Sequence, residues 1–250
     1  VALKPSGIEW LGDVPAHWTV KPLKRWVRLN ASTLGEKTNP DFEFRYIDIG
    51  SVKTGRLTKE LERLRFANAP SRARRVLRRG DTIISTVRTY LKAIWYVNEE
   101  ADDLIASTGF AVLTPGREVE PEYLGYVIQS SGFVNRVTAN SIGIAYPAIA
   151  ETVLGRFPVV MPPTLEEQQE ILAYIKAESA PLDQAIEQAL TEIKLIREYR
   201  DRLIADVVTG QVDVRSWVPG PDDVVAEEDL AALGGDEEID SDREEDDGND

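Results

Sequence analysis

Six arginines and a lysine crowd into residues 68–93, NAPSRARRVLRRGDTIISTVRTYLKA, against the single acid Asp81. The wider window of residues 56–92 holds eleven bases against Glu60, Glu62 and Asp81, a local charge of +8. A field of that sign, displayed on one face, attracts phosphate. The plainer alternative is a solvated helix face with scattered arginines. The whole chain carries a net charge of −14, which hides this polarity. Fifteen of its acids and one base, Arg243, lie from Pro221 onward, and residues 1–220 are left with 28 of each sign.

Other chemistries find little support. There is no cysteine, which removes disulfides, thiolate nucleophiles and cysteine metal sites. The lone histidine, His17 in PAHWTV, reads as a hydrogen-bonded turn residue rather than a base. No Walker loop, dinucleotide fingerprint or HExxH motif occurs. NPDF at residues 39–42 resembles the Asn-Pro-Pro-aromatic loop of amino methyltransferases, but its third residue is Asp41. Nor does a glycine-rich loop precede it, so it reads as a turn before a strand. No apolar run approaches the roughly 20 residues of a membrane span. VALKPSGIEW lacks the apolar core of a signal peptide, and the expected location is cytoplasmic.

Positioning such a basic surface calls for a scaffold, and residues 1–163 read as a mixed α+β domain. FEFRYIDIG puts Phe42, Phe44 and Tyr46 on one face at period two, with Ile47 and Ile49 on the other. DTIIST, LKAIWYV and GFAVLT are further short apolar runs, and RRGD is a turn. PEYLGYVIQSSGFV spaces Tyr123, Leu124, Val127 and Ile128 as a helix does, with Pro121 in its first turn. FPVVMPP is a last strand, closed by Pro162 and Pro163.

Residues 164–216 change character. Thr164 and Glu167 form a capping-box pattern, and Pro181 interrupts the helix that follows. From Pro181 a second helix is expected to run to Thr209, with Gly210 just past its end. Leu182, Ile186, Ala189, Ile193, Ile196, Arg200, Leu203 and Val207 step by four and three, and only Arg200 is polar. That is a coiled-coil seam about 43 Å long. A narrow stripe flanked by charge fits a helical partner better than its own domain. Residues 217–250 form an acid-rich, Gly-punctuated tail expected to be disordered.

Three segments together resemble the specificity subunit of type I restriction–modification systems: SGIEWLGDVPAHWTVKPLK; RRGDTIISTVRTYLKAIWYV with STGFAVLTP; and FPVVMPPTLEEQQEILAYI leading into REYRDRLIADVVTGQVDVR. The resemblance covers nearly all of residues 6–215. It implies a target-recognition domain (1–163), a helical spacer and dimerisation region (164–216) and an unrelated tail. Family members usually carry two domains and two spacers, so this chain looks like a half-length subunit. The resemblance then implies a homodimer with antiparallel spacers reading an interrupted palindrome. Pairing with a different half subunit is the alternative. It also implies no cofactor on this chain. S-adenosylmethionine is expected on the methyltransferase subunits and ATP on the restriction and translocase subunit.

On that resemblance the expected partner is duplex DNA. Arg72, Arg74, Arg75, Arg78 and Arg79 would neutralise phosphates. Arg88, Thr89, Tyr90 and Lys92 would reach base edges, as would Ser51, Lys53 and Thr54. The polar loop with Asn135, Arg136, Asn140, Ser141 and Tyr146 is a further candidate. The tail is open to two readings, an intramolecular DNA mimic or a solubilising appendage. Two other readings of the whole remain: a coiled-coil interaction protein whose basic face binds RNA or acidic protein, and an enzyme in its own right.

Overall fold

Strand side chains that alternate between two apolar faces stack sheets and helices in layers. A computed structural model describes residues 2–8, 10–218 and 220. The described part divides into a unit ending at Pro181 and a second beginning at Leu182. In the first unit one four-stranded sheet is antiparallel throughout, in the order Ile94–Tyr96, Thr82–Ser85, Phe110–Pro115, Val27–Leu29. A second runs Glu62–Arg65, Glu43–Ile47, Leu104–Ser107, Ala73–Val76, and its central pair, Glu43–Ile47 with Leu104–Ser107, is parallel. Pro158–Met161 pairs separately with Thr19–Pro22.

Period-two alternation sorts the side chains into three apolar clusters. Ile84, Ala111 and Leu113 face the helices, in a cluster with Leu124, Ile128, Phe133 and Met161. Ile83, Phe110 and Val112 point the other way and meet Ile47, Leu104 and Ala106 of the second sheet. Phe44, Tyr46 and Ile105 cover that sheet's far side with Phe42, Leu64 and Phe66. Phe42, Phe44 and Tyr46 therefore share a face opposite Ile47, as their spacing predicts.

Three features depart from the sequence expectation. PEYLGYVIQSSGFV forms two helices, α1 (Pro121–Gln129) and α2 (Ser131–Ala139). Ser130 leaves the helix at ψ 140°, and its hydroxyl donates to the Val127 carbonyl at 2.7 Å. After a single turn, α3 (Glu151–Leu154), helix α4 runs Leu165–Val208 and passes through Pro181 without a new start. A proline there forgoes one hydrogen bond and crowds the preceding turn, a local cost in an otherwise continuous ladder. The first unit also reaches beyond Pro163. Gln168, fully buried, accepts from the Glu120 backbone N–H at 2.7 Å and donates to the carbonyls of Glu118 and Pro162. The capping box is present in part, since Thr164 Oγ1 accepts from the Glu167 N–H at 3.2 Å.

His17 contacts Glu167 at 2.9 Å, and Trp18 Nε1 donates to the same carboxylate at 2.8 Å. Asp41 N–H donates to Asn39 Oδ1 at 3.0 Å, so NPDF is a turn. In the second unit Leu182, Ile186, Ile193, Ile196 and Leu203 are all exposed. No described helix is long and apolar enough to cross a membrane. The acidic stretch 221–250 lies outside the described residues.

Candidate functional site

The basic stretch splits in the fold. Its first part is a strand, Ala73–Val76, edge member of the second sheet. Burying Ala73 against Phe44 and Ile105 fixes the strand, and the neighbouring arginines are drawn into the structure. Arg75 donates from Nη2 to Glu151 Oε1 at 2.6 Å, with only 16% of its side chain exposed. Arg74 lies over the Phe66 ring at 4.8 Å and donates to the Ala73 carbonyl. Arg72 Nε donates to the Tyr46 hydroxyl at 3.2 Å. Arg78 and Arg79 sit in the turn before Thr82–Ser85, where the buried Asp81 carboxylate accepts from the Arg78 N–H at 2.8 Å. Burial pushes the Asp81 carboxyl above its usual range. Arg79 pairs with Glu100 at 3.1 Å. Upstream, Lys59 pairs with Asp48, Arg63 with Asp103 and Arg65 with Glu43. Acids remote in sequence thus pair with much of the basic stretch, and of the five arginines of residues 72–79 Arg74 and Arg75 are half-buried while Arg72, Arg78 and Arg79 are exposed.

The other part is different. Thr82–Ser85 is buried along its length and carries the chain about 13 Å from the Arg78–Arg79 turn before releasing it into residues 86–93. There Arg88 and Lys92 both adopt left-handed backbone, φ 49° and 51°, either side of the 3₁₀ turn Thr89–Leu91. Such geometry costs about 1–2 kcal/mol per L-residue and persists only where surroundings enforce it. The enforcing contacts come from two other loops. Thr54 Oγ1 donates to the Lys92 carbonyl at 2.8 Å, and Gly55 N–H to the Ile94 carbonyl. From the opposite side the hydroxyls of Thr89 and Ser141 meet at 2.7 Å, and the Arg88 guanidinium lies 4.8 Å from the Tyr146 ring centre. Ile149 N–H donates to the Thr86 carbonyl, and paired bonds between Ile142 and Ala148 close the loop. That closure requires Gly143. At φ 122° a Cβ there would stand 2.9 Å from the Tyr146 carbonyl oxygen.

Three loops therefore meet on one surface: residues 53–54, 88–92 and 141–146. Lys53, Thr54, Tyr90, Leu91, Lys92 and Tyr146 are exposed on it, with Arg88 half-buried. None of the three loops contains an acid. The arrangement offers cations, hydroxyls and aromatic faces from a constrained backbone, the groups that contact phosphates and base edges.

Several residues expected here are placed otherwise. Ser51 is buried and gives its hydroxyl to Asp48 Oδ1 at 2.5 Å. Thr89 is buried too, so it positions the loop through Ser141 and does not present its hydroxyl outward. Arg136 is half-buried, with its guanidinium 5.1 Å from the Phe157 ring centre. Asn140 closes α2 by donating from Nδ2 to the Arg136 carbonyl at 2.8 Å, and Asn135 is exposed on α2. Ile142 and Ile144, outside the residues expected to contact DNA, are 84% and 105% exposed on the same loop. Two isoleucines flanking a turn glycine in SIGIAYP are the sequence signal of that exposure, since a tight turn has no core to offer them.

Residues 74–195 match the family model described as type I restriction modification DNA specificity domain. No curated protein matches the chain. Among solved structures it is similar to the HsdS subunit from Thermoanaerobacter tengcongensis, at 27% identity and a TM-score of 0.60, over 83% of this chain and 52% of that one. A chain from a structure titled for complex assembly and conformational transition of the type I R-M system matches at 28% identity and a TM-score of 0.59. That match covers 86% of this chain and 53% of the other. The chain spans about half the length of these solved structures.

Proposed function

We propose that this chain, whose residues 74–195 match the type I restriction modification DNA specificity domain, is a non-catalytic subunit that reads one half of a bipartite duplex DNA target. The carrying observation is the acid-free surface of residues 53–54, 88–92 and 141–146, held in constrained geometry on a layered scaffold. In this reading Arg88 and Lys92 contact base edges or adjacent phosphates, Lys53 and Thr54 extend the contact, and Tyr90 and Tyr146 supply ring faces. Arg78 and Arg79, at the other end of the central strand, add at most sequence-independent attraction. The methyl-transfer and ATP-driven chemistry belongs to partner subunits, a methyltransferase and a restriction and translocase subunit. The expected compartment is the cytoplasm, where these partners would meet DNA.

The helix beyond Leu182 supplies the second half of the function. Its exposed apolar residues support pairing with another spacer helix, in a homodimer or with a second specificity chain. Residues 1–181 form the recognition unit and α4 beyond them the spacer, a division supported by where the compact units part.

The test is binding of a randomised duplex pool by the purified chain together with its methyltransferase, with the mass of the chain measured in parallel. Enrichment of a defined, interrupted sequence is expected. Uniform retention of all sequences, or preference for single-stranded RNA, would overturn the reading in favour of an interaction protein with a basic face.

A further inference from the structure

We propose that Ile142 and Ile144 form an apolar contact for the C5 methyl group of thymine, so that this loop reads an A·T pair at a fixed place in the target. The inference rests on the duplex-DNA reading above and names the base that the loop selects.

The two side chains are the most exposed large apolar groups among the described residues, at 84% and 105%. The backbone beneath them is tied down. Ile142 N–H donates to the Ala148 carbonyl at 2.8 Å, and the Ile142 carbonyl accepts from the Ala148 N–H at 2.9 Å. Val87 bridges to Ala148, and Ile149 N–H donates to the Thr86 carbonyl at 2.8 Å. Pro147 fixes its own φ between these ties. Isoleucine, being β-branched, is also stiff at χ1. The loop therefore holds two rigid apolar groups out in water, where they gain only by meeting another apolar group.

The neighbours indicate what that group is. The same ties set the loop beside residues 88–92, with the Thr89 and Ser141 hydroxyls 2.7 Å apart and the Arg88 guanidinium 4.8 Å from the Tyr146 ring centre. Neither residues 86–93 nor residues 141–150 include an acid. A ligand that suits both features is anionic and yet offers an apolar spot. The grooves of duplex DNA display one methyl group, the C5 methyl of thymine in the major groove, and phosphates flank each of them. A protein partner would have to bring acids of its own to Arg88 and Lys92. Insertion between base pairs would have to part the stack, a cost that contact with a methyl group avoids.

The test starts from the sequence selected by the chain with its methyltransferase, and replaces each thymine in it by deoxyuridine, one at a time. Deoxyuridine keeps the base pair and lacks only the methyl group. At one or two thymines the wild-type chain is expected to bind about 4-fold more weakly, the transfer value of one buried methyl or methylene group. Ile142→Ala and Ile144→Ala should weaken binding to the thymine probe comparably and no longer distinguish thymine from uracil there. Both side chains are exposed, so unfolding midpoints should stay at the wild-type value. A selected motif without an A·T pair, or wild-type binding indifferent to uracil at every thymine, would overturn the proposal and leave the duplex-DNA reading standing. So would a rise in 2-aminopurine fluorescence beside that thymine that the two variants abolish, the sign of entry into the base stack. Loss of methyltransferase association in the variants would assign the isoleucines to a protein contact instead. Failure to select any sequence would remove the duplex-DNA reading itself.

Discussion

Two basic regions of one chain meet opposite fates in this fold. Residues 56–79 carry nine of the eleven cations, and five of these, Lys59, Arg63, Arg65, Arg75 and Arg79, pair with carboxylates from elsewhere in the chain. Residues 88–92 carry two cations and no acid, yet three loops converge to hold them in left-handed backbone at an exposed surface. Charge density along a sequence measures how much positive potential is available. What remains for a ligand depends on which cations the fold has already neutralised, and that is a property of contacts between distant residues.

The sharpest way to break this contrast is to truncate one residue from each region. Arg88→Ala is expected to cost about 1–3 kcal/mol of discrimination in DNA binding, roughly 5- to 150-fold, with little change in thermal stability. Arg75→Met should do the reverse. Losing a half-buried charge-assisted bond to Glu151 lowers unfolding stability by about 1–3 kcal/mol and leaves sequence preference alone. If Arg75→Met altered the preferred sequence while Arg88→Ala did not, the assignment of the two regions would be inverted.

Tyr146→Ala sharpens the comparison within the proposed surface. It removes the ring stacked on Arg88, and a loss of about 0.5–1 kcal/mol in DNA affinity is expected, smaller than deletion of the guanidinium itself. Titration of DNA against both variants under one salt condition measures the difference.

Much of the scaffold was legible because its signals are local. Period two in FEFRYIDIG and the short apolar runs DTIIST, LKAIWYV and GFAVLT mark four strands, and Thr164–Glu167 marks the start of α4. Other parts were hidden by the residues that function or pairing required. ARRV and ERLR form strands whose outward positions are arginine and glutamate, so their apolar alternation is short. LIAS is buried on both faces and lacks alternation altogether. Of the proposed contacts, Lys53, Thr54, Arg88, Tyr90, Lys92 and Tyr146 follow from chemistry alone and lie on one surface, whereas Ser51 and Thr89 have the same polar chemistry but are buried as loop ties. Burial of a hydroxyl depends on its tertiary partner, Asp48 or Ser141, and no local pattern carries that information.

The smallest expected effect concerns pH and belongs to the neutralised region. Asp103 accepts from Arg45 at 2.8 Å and from Arg63 at 3.0 Å; the hydrogen bond from Arg45 is the main cause holding its carboxyl below the ordinary range, against some opposing burial. A lowered folded-state value means the contribution is present above the usual aspartate range near 3.9 and is lost as pH falls through the lowered value. Asp103→Asn should therefore reduce the loss of stability between about pH 5 and pH 2, with little change in its pH dependence at neutrality. Unfolding midpoints across that range check this, and an unchanged acid limb would contradict it.

In the proposed reading the three-loop surface reads sequence and the arginine strand and turn do not. The most direct measurement compares motifs selected from a randomised duplex pool by the wild-type chain, Arg88→Ala, and Arg78→Ala with Arg79→Ala, each with the methyltransferase bound. The account predicts that Arg88→Ala relaxes the motif at one or two base pairs, while the double variant keeps the whole motif and binds somewhat less tightly at low salt. A motif that survives Arg88→Ala intact and degrades in the double variant would contradict it.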